Sequence, residues 1–218
     1  MSDDLQLGQL LCTRLCHDLA GPIGAVSAGV ELIGSDPTLI GDETLALLSG
    51  SAEAGARKLK FLRIAFGWVG IGSVALDQVG GSFEDYIVAM TGPSGGPTLQ
   101  WPDQDALDDV NSNLGDGAAQ SMANIVLVSM EIQPKCRTLS VSVGRQKSGI
   151  FIQVVNKVSD GAVRVREDIA GTIGGAGDAE MTPQTVQAHL ARRLVAGSGG
   201  RFDVEIVSDG VITTARWQ

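Results

Sequence analysis

Histidine and cysteine, which bind zinc and, in the case of cysteine, form disulfides, are scarce in this chain. Its 218 residues include two histidines and three cysteines, at positions 12, 16 and 136. An odd and small number of cysteines excludes a disulfide scaffold and is typical of a reducing compartment. The cysteines and histidines lack the spacing of zinc ligands, so we expect no metal centre. We expect Cys12 in the apolar core and Cys16 at its flank.

Long apolar runs and an excess of positive charge are also missing. The formal net charge is −9, from 25 acidic and 16 basic residues. An acidic surface repels phosphate backbones and anionic lipid, so we expect neither nucleic acid nor a membrane as a partner. The N-terminal segment is acidic and does not resemble a secretory signal. The sequence therefore predicts a cytoplasmic protein.

Apolar residues in the first 70 positions repeat with a helical period. We expect one helix over residues 3–34 and a second over residues 42–70, joined by a short loop as an antiparallel hairpin. A lone hairpin cannot bury such long stripes, which predicts a homodimer built on a four-helix bundle. The stripes comprise Cys12, Leu15, Leu19, Val26, Val30 and Ile33, and then Leu45, Leu48, Ala52, Gly55, Leu59, Leu62, Phe66 and Val69.

The remainder of the chain mixes helices with strands. A glycine cluster near residues 72–80 suggests a first domain over 1–75 and a second over 76–218. Helices packed on one face of a mixed or antiparallel sheet would form an α/β sandwich, which makes the whole chain α+β. Helices are predicted at 82–90, within 105–130 and at 183–196, and strands at 98–101, 139–143, 151–155, 202–207 and 211–216.

His17 lies on the first predicted helix, on the side away from the apolar stripe. Most residues that share this side are alanine or glycine, and each glycine costs about 1 kcal/mol relative to alanine in a helix interior. Close approach of another protein over His17 would explain them. The alternative is an ordinary exposed histidine. The neighbours of His17 are Thr13, Arg14, Ala20, Gly21, Gly24 and Ala28.

A proline follows His17 at a fixed spacing. The segment HDLAGPI, residues 17–23, resembles the H-box of sensor histidine kinases: histidine, an acidic residue and leucine, then proline and an aliphatic residue. The longer segment 11–25 is similar to the ChpT-type histidine phosphotransferases of alphaproteobacteria. The resemblance implies a dimeric four-helix bundle followed by a Bergerat-like α/β sandwich related to kinase ATPase domains.

The nucleotide boxes that such a domain has in a kinase are degenerate here. Asn124 matches the first asparagine of the kinase helix motif, but Val128 replaces the second, and an isopropyl group cannot bind Mg²⁺. Asn156 stands where a kinase has its adenine-binding aspartate, without the glycines that should follow it. The segment 171–177 lacks the ending of a phosphate-binding loop and is interpreted as the remnant of a lid. We therefore expect no bound nucleotide.

The resemblance implies a phosphorelay histidine phosphotransferase. His17 would take a phosphoryl group from the receiver domain of a hybrid histidine kinase and pass it to the receivers of response regulators, with Mg²⁺ supplied by the receiver. Asp18 would accept a hydrogen bond from the imidazole or pair with Arg14, and Arg14 would neutralise the phosphoryl group. The residues expected to dock the partner are Thr13, Ala20, Gly21, Gly24 and Ala28.

Two other functions remain open on the sequence. The first is an ATP-dependent histidine kinase with divergent nucleotide boxes, which would label itself from ATP. The second is a non-catalytic dimeric adaptor or inhibitor of two-component proteins, which would bind receivers without carrying phosphate. His189, the second histidine, lies between apolar residues of a predicted helix and is interpreted as structural.

Overall fold

The computed structural model describes residues 2–67, 74–146, 149–159, 163–175 and 180–218. The helices are α1 (Asp3–Ser35), α2 (Asp42–Ala65), α3 (Leu76–Thr91), α4 (Gln104–Leu114), α5 (Ala118–Ile132), α6 (Glu167–Gly174) and α7 (Val186–Gly197). The strands are β1 (Thr98–Gln100), β2 (Thr138–Gln146), β3 (Gly149–Lys157), β4 (Gly200–Val207) and β5 (Gly210–Trp217).

Helix α1 runs for 33 residues and matches the predicted span. Asp3 and Asp4 lie in its first turn, where the helix dipole favours negative charge. The helix ends because Pro37 disfavours a helical conformation in the residue before it. Asp36 then caps the next turn, since its Oδ1 accepts a hydrogen bond from the Thr38 N–H at 3.0 Å.

Helix α2 ends at Ala65, so the prediction that it continues through residue 67 was wrong. The Phe66 N–H still donates to the carbonyl of Leu62 at 2.9 Å, but Gly67 has a φ of 78°. A glycine with positive φ just beyond the last turn is a common helix terminator, because it lacks the Cβ that disfavours this conformation. The predicted residues 68–70 lie outside the described residues, as do Gly70 and Gly72 of the proposed domain boundary.

Small residues bring α1 and α2 into close contact. A Cβ atom at Gly29 would overlap the side chain of Leu48. A Cβ atom at Gly55 would lie 3.4 Å from the Cβ of Pro22, so the mid-helix proline of α1 faces α2. These contacts confirm the predicted antiparallel hairpin.

Part of each predicted apolar stripe is exposed in the single chain. Cys12, which is predicted to belong to the apolar stripe, is exposed in the single chain, and its burial in a dimer stays a prediction. A subset of the exposed apolar residues on the two helices recurs at intervals of four and seven positions, although Leu5, Leu32 and Leu47 are exposed outside this pattern. The subset comprises Cys12, Cys16, Ile23 and Val30 on α1 and Leu45, Ala52 and Leu59 on α2.

An aromatic cluster joins the hairpin to the helix that follows it. The Phe61 ring of α2 lies 5.1 Å from that of Phe83 and 4.9 Å from that of Tyr86, both on α3, measured between ring centroids. All three side chains are buried. Helix α3 begins six residues before the predicted position 82, because its first turns also bury apolar side chains, Leu76 and Val79.

The C-terminal half contains one five-stranded sheet with the order β1-β2-β3-β5-β4. Strand β1 is parallel to β2, and the other pairs are antiparallel. The predicted hairpin is confirmed, but its two-residue turn is Ser208-Asp209 rather than Asp209-Gly210, since Val207 pairs with Gly210 as the first residue of β5. Helix α5 packs against β3 and β5 and is buried along most of its length. The predicted α+β class is confirmed.

The helix predicted in the later part of 105–130 is confirmed as α5, and a separate helix, α4, precedes it, because Gly115 adopts a φ of 64° between the two. Two other predictions in this half need correction. The helix expected from Pro183 begins at Val186 and includes Gly197 as its last residue. Residues 171–174, expected in a loop, belong to α6, while residues 176 and 177 of the proposed lid lie outside the described residues.

Candidate functional site

The imidazole of His17 projects from α1 into solvent. Its side chain is 87% exposed. The C-terminal half contacts α1 near its start, where the Arg193 guanidinium lies 2.6 Å from a carboxylate oxygen of Asp4, and again on the inward side of the helix at Arg14. A partner protein can therefore reach the ring without displacing the chain's own C-terminal half.

Asp18 contacts one nitrogen of this imidazole. Its Oδ1 lies 3.4 Å from His17 Nδ1, and its Oδ2 lies 3.7 Å from Arg14 Nε. The Asp18 side chain is only 15% exposed, so its carboxylate lies mostly shielded from water beneath the exposed imidazole. The structure thus places both partners considered for Asp18 within reach. A proton on Nδ1 facing Asp18 would leave a lone pair on the exposed Nε2.

Arg14 points into the protein and pairs with an acidic residue of α5. Its Nη1 lies 3.3 Å from Glu131 Oε2, and its Nη2 contacts Oε1 of the same carboxylate. Burial acts to lower the pKa of Arg14, but the charge and hydrogen bonds of Glu131 raise it above its ordinary value. Because its guanidinium is engaged in this way, the geometry does not favour the predicted role of Arg14 in neutralising a transferring phosphoryl group.

Glu131 and Tyr86 were missed by the sequence analysis. Burial raises the pKa of Glu131 against the attraction of Arg14, and burial likewise raises the pKa of Tyr86, which hydrogen-bonds Arg14. One signal was available: Glu131 is the only charged residue of α5, and a buried charge needs a partner. The sequence could not tell that the partner lies on α1.

The small residues near His17 leave an open surface. A Cβ atom added at Gly21 or Gly24 would find no described atom within 4 Å. The Thr13 hydroxyl donates to the Gln9 carbonyl at 2.9 Å, which satisfies it within the helix. We call Thr13 and these small residues the small-residue surface. All five of its members, Thr13, Ala20, Gly21, Gly24 and Ala28, are exposed.

The residues at the degenerate kinase boxes are used for packing. Asn124 Nδ2 donates to the Ala65 carbonyl at 2.5 Å, and its Oδ1 accepts a hydrogen bond from Gln187. Val128 is fully buried. The buried Asn156 donates to the Ser129 carbonyl. The hydrogen bonds of these two asparagines connect α2, α5, α7 and β3.

Other features of the sequence carry no site in the described part of the chain. Within that part, no three or more histidine, cysteine, aspartate or glutamate residues are grouped so that they could hold a metal ion. No helix among the described residues is long and apolar enough to span a membrane. His189 is half-buried on α7, and Cys136 is buried, which raises the pKa of its thiol to about 11.

Replacing Asn124 by alanine should lower the free energy of unfolding by about 2–3 kcal/mol, because buried partners on α2 and α7 lose their hydrogen bonds. Urea denaturation measures this loss. The matched control is Asn113→Ala, whose amide is exposed on α4 and whose removal should change stability by about 0.5 kcal/mol or less. Equal effects of the two substitutions would contradict the packing role of Asn124.

Comparison with known proteins agrees with the resemblance found in α1. No protein-family model matches the chain. Over 76 residues it is 42% identical to the protein phosphotransferase ChpT of Brucella abortus (strain 2308), and the match spans 34% of the chain and about a third of that curated relative. A solved structure of a bacterial phosphotransferase has a TM-score of 0.76 at 22% identity, with 99% of this chain and 98% of that chain covered. The Acinetobacter baumannii histidine kinase AdeS gives a TM-score of 0.47 at 11% identity, with 93% and 97% covered. The chain is therefore similar to ChpT-type phosphotransferases in part of its sequence and to a bacterial phosphotransferase in its whole fold.

Proposed function

We propose that the chain is a phosphorelay histidine phosphotransferase that carries a phosphoryl group on His17 and does not use ATP. The observation that supports this most strongly is the exposed imidazole with a carboxylate facing its Nδ1. A nucleophile for transfer between proteins must be accessible, and it needs a lone pair on the accessible nitrogen. The similarity to phosphotransferases is in accord with this chemistry.

The proposed transfer begins with attack by His17 Nε2 on the phosphorus of an aspartyl phosphate. The P–N bond forms while the bond from phosphorus to the carboxylate oxygen breaks, and the aspartate leaves as a carboxylate. Nδ1 keeps its proton, and the Asp18 carboxylate stabilises the positive charge that develops on the ring. In the second half-reaction, an aspartate of another receiver attacks the phosphohistidine and restores neutral His17.

The partner receiver completes the site. It would bring the Mg²⁺ that neutralises charge on the phosphoryl group, as the family resemblance implies. This chain contributes the nucleophile and a surface on which the receiver can approach closely. The small-residue surface supports this part of the proposal, because its glycines leave the backbone of α1 uncovered beside His17. With receiver domains as its partners, the proposal also includes a cytoplasmic location for the protein.

The proposal that ATP is not used rests on the degenerate boxes. The side chain of Asn124 and the amide of Asn156 are hydrogen-bonded within the protein, and Val128 offers no metal ligand. The C-terminal half, residues 76–218, would then act as a scaffold for the helical hairpin of residues 1–75.

A homodimer forms the last part of the proposal. Seven exposed apolar residues of α1 and α2 lie at intervals of four and seven positions, which is the pattern of helices that pack along their length. A second copy of the same hairpin would cover both stripes and form a four-helix bundle.

Mixing the protein with a phosphorylated receiver domain should place an acid-labile, base-stable label on it. His17→Ala should abolish the label with folding intact, whereas His189→Gln, which removes the other histidine, should keep it. ATP alone should give no label. Receiver binding without label would identify an adaptor, and label from ATP would identify a kinase; either result contradicts the proposal.

Replacing Gly24 by glutamine should slow phosphoryl transfer about tenfold or more, because a long side chain on the small-residue surface would hold the receiver away from His17. The matched control is Gly81→Gln, at an exposed helical glycine of α3 that is equally open. Transfer rates from one phosphorylated receiver measure the effect. A wild-type rate in the Gly24 variant would show that the receiver docks elsewhere.

Replacing Val30 by glutamate should convert a dimer into a monomer, because the charge would be buried between two copies of α1. Light scattering after size-exclusion chromatography reports the mass. Leu32→Glu is the control: Leu32 is 50% exposed and Val30 58%, but Leu32 lies outside the heptad stripe. A dimer that survives Val30→Glu, or a monomeric wild type, would contradict the proposed bundle.

A further inference from the structure

A chain of four side chains leads from α5 to the imidazole. Glu131 holds the two terminal nitrogens of Arg14, the remaining Nε of Arg14 faces Asp18 Oδ2 at 3.7 Å, and Asp18 Oδ1 faces His17 Nδ1 at 3.4 Å. We call these four residues the positioning chain. Its outer end is exposed, and its inner end lies among packed helices.

We propose that Glu131, acting through Arg14 and Asp18, is a positioning residue that holds His17 in the tautomer with its proton on Nδ1. This inference rests on the proposed function and deepens it. It assigns to the C-terminal half a part in the phosphoryl transfer, because Glu131 belongs to α5.

The tautomer decides which nitrogen can attack. A neutral imidazole carries its proton on one nitrogen, and the hydrogen bond made by that nitrogen selects it. Nε2 is a nucleophile only while the proton resides on Nδ1, which requires Asp18 Oδ1 to keep facing the ring. An aspartate free in solvent would rotate, whereas Asp18 is mostly buried and its second oxygen is directed at Arg14.

Glu131 limits the number of hydrogen bonds that Arg14 can make to the Asp18 carboxylate. A guanidinium prefers to bind a carboxylate through two parallel hydrogen bonds. If its terminal nitrogens were released, Arg14 could bind both oxygens of Asp18 and draw them away from His17. Glu131 occupies these nitrogens, and the Tyr86 hydroxyl adds a further contact to Arg14. Only Nε then remains to face Asp18.

The loose contacts at the outer end fit a role in positioning. Arg14 Nε and Asp18 Oδ2 are buried, and neither makes a hydrogen bond among the described residues. A small shift of Asp18 can therefore tighten its contact with the ring when positive charge develops there. Hydrogen bonds that serve catalysis are often long in the resting protein and shorten in the reacting complex.

Glu131→Gln tests the inference, because it removes the charge while keeping the shape. NMR of the ¹⁵N-histidine-labelled wild type should show His17 mainly as the Nδ1–H tautomer. The spectrum of the His189→Gln variant, which has His17 as its one histidine, assigns the signals. In the Glu131 variant, His17 should shift toward the other tautomer, and phosphoryl transfer should be about tenfold slower. A loss of this size is typical when an outer hydrogen-bonding partner of a functional histidine is removed. Asp109→Asn, which breaks an ion pair between α4 and β2, should leave both readouts unchanged.

The double variant Arg14→Met with Glu131→Leu distinguishes two roles of Glu131: positioning His17, or only attaching α1 to the C-terminal half. Replacing both members of the Arg14–Glu131 pair by apolar residues leaves neither of these two charges unpaired, and Asp18 keeps its contact with His17, so the fold should persist even if Glu131→Gln unfolds. Slow transfer and a lost tautomer preference in this folded variant would support the inference. Wild-type transfer and tautomer in either folded variant would overturn it while leaving the proposed function intact. A wild type that forms no phosphohistidine would instead contradict the proposed function.

Discussion

A buried ion pair between Arg14 and Glu131 fixes the helix that carries His17 to the C-terminal half. Removing one partner of such a pair typically costs about 3–5 kcal/mol, because the other charge stays behind in the interior. The pair lies three residues before His17 and so restrains the rotation of α1 about its own axis at this point. In the orientation that α1 adopts, Asp18 points inward toward Arg14 and the imidazole of His17 lies in solvent.

Two buried asparagines of the C-terminal half hold its helices and sheet together. Asn124 ties the end of α2 to α5 and α7, and Asn156 ties β3 to α5. Each of these hydrogen bonds stabilises the position of α5, the helix that ends in Glu131 and Ile132. Under the proposed function, a half that has lost its nucleotide chemistry would still hold the nucleophile in the correct orientation.

Local sequence patterns predicted the elements whose signals lie within a few residues. Helix α1 follows from apolar periodicity, and the β4–β5 hairpin follows from the turn signal Asp209-Gly210, although the turn itself lies one residue earlier. The early end of α2 was missed because a single Gly67 with positive φ outweighed a continuing apolar pattern. The pairing of Arg14 with Glu131 joins residues 117 positions apart, which no periodicity encodes. His17 could be selected from its motif, but the contacts that orient it required the folded chain.

Under the proposed function, His17 reacts through its exposed Nε2. Phosphorus NMR of the protein after phosphorylation by a receiver domain distinguishes the two nitrogens, because phosphoryl groups on Nε2 and Nδ1 resonate at different positions. We expect one phosphoramidate signal, from the Nε2 isomer. A signal from the Nδ1 isomer, or from an acyl phosphate with no phosphoramidate, would contradict it.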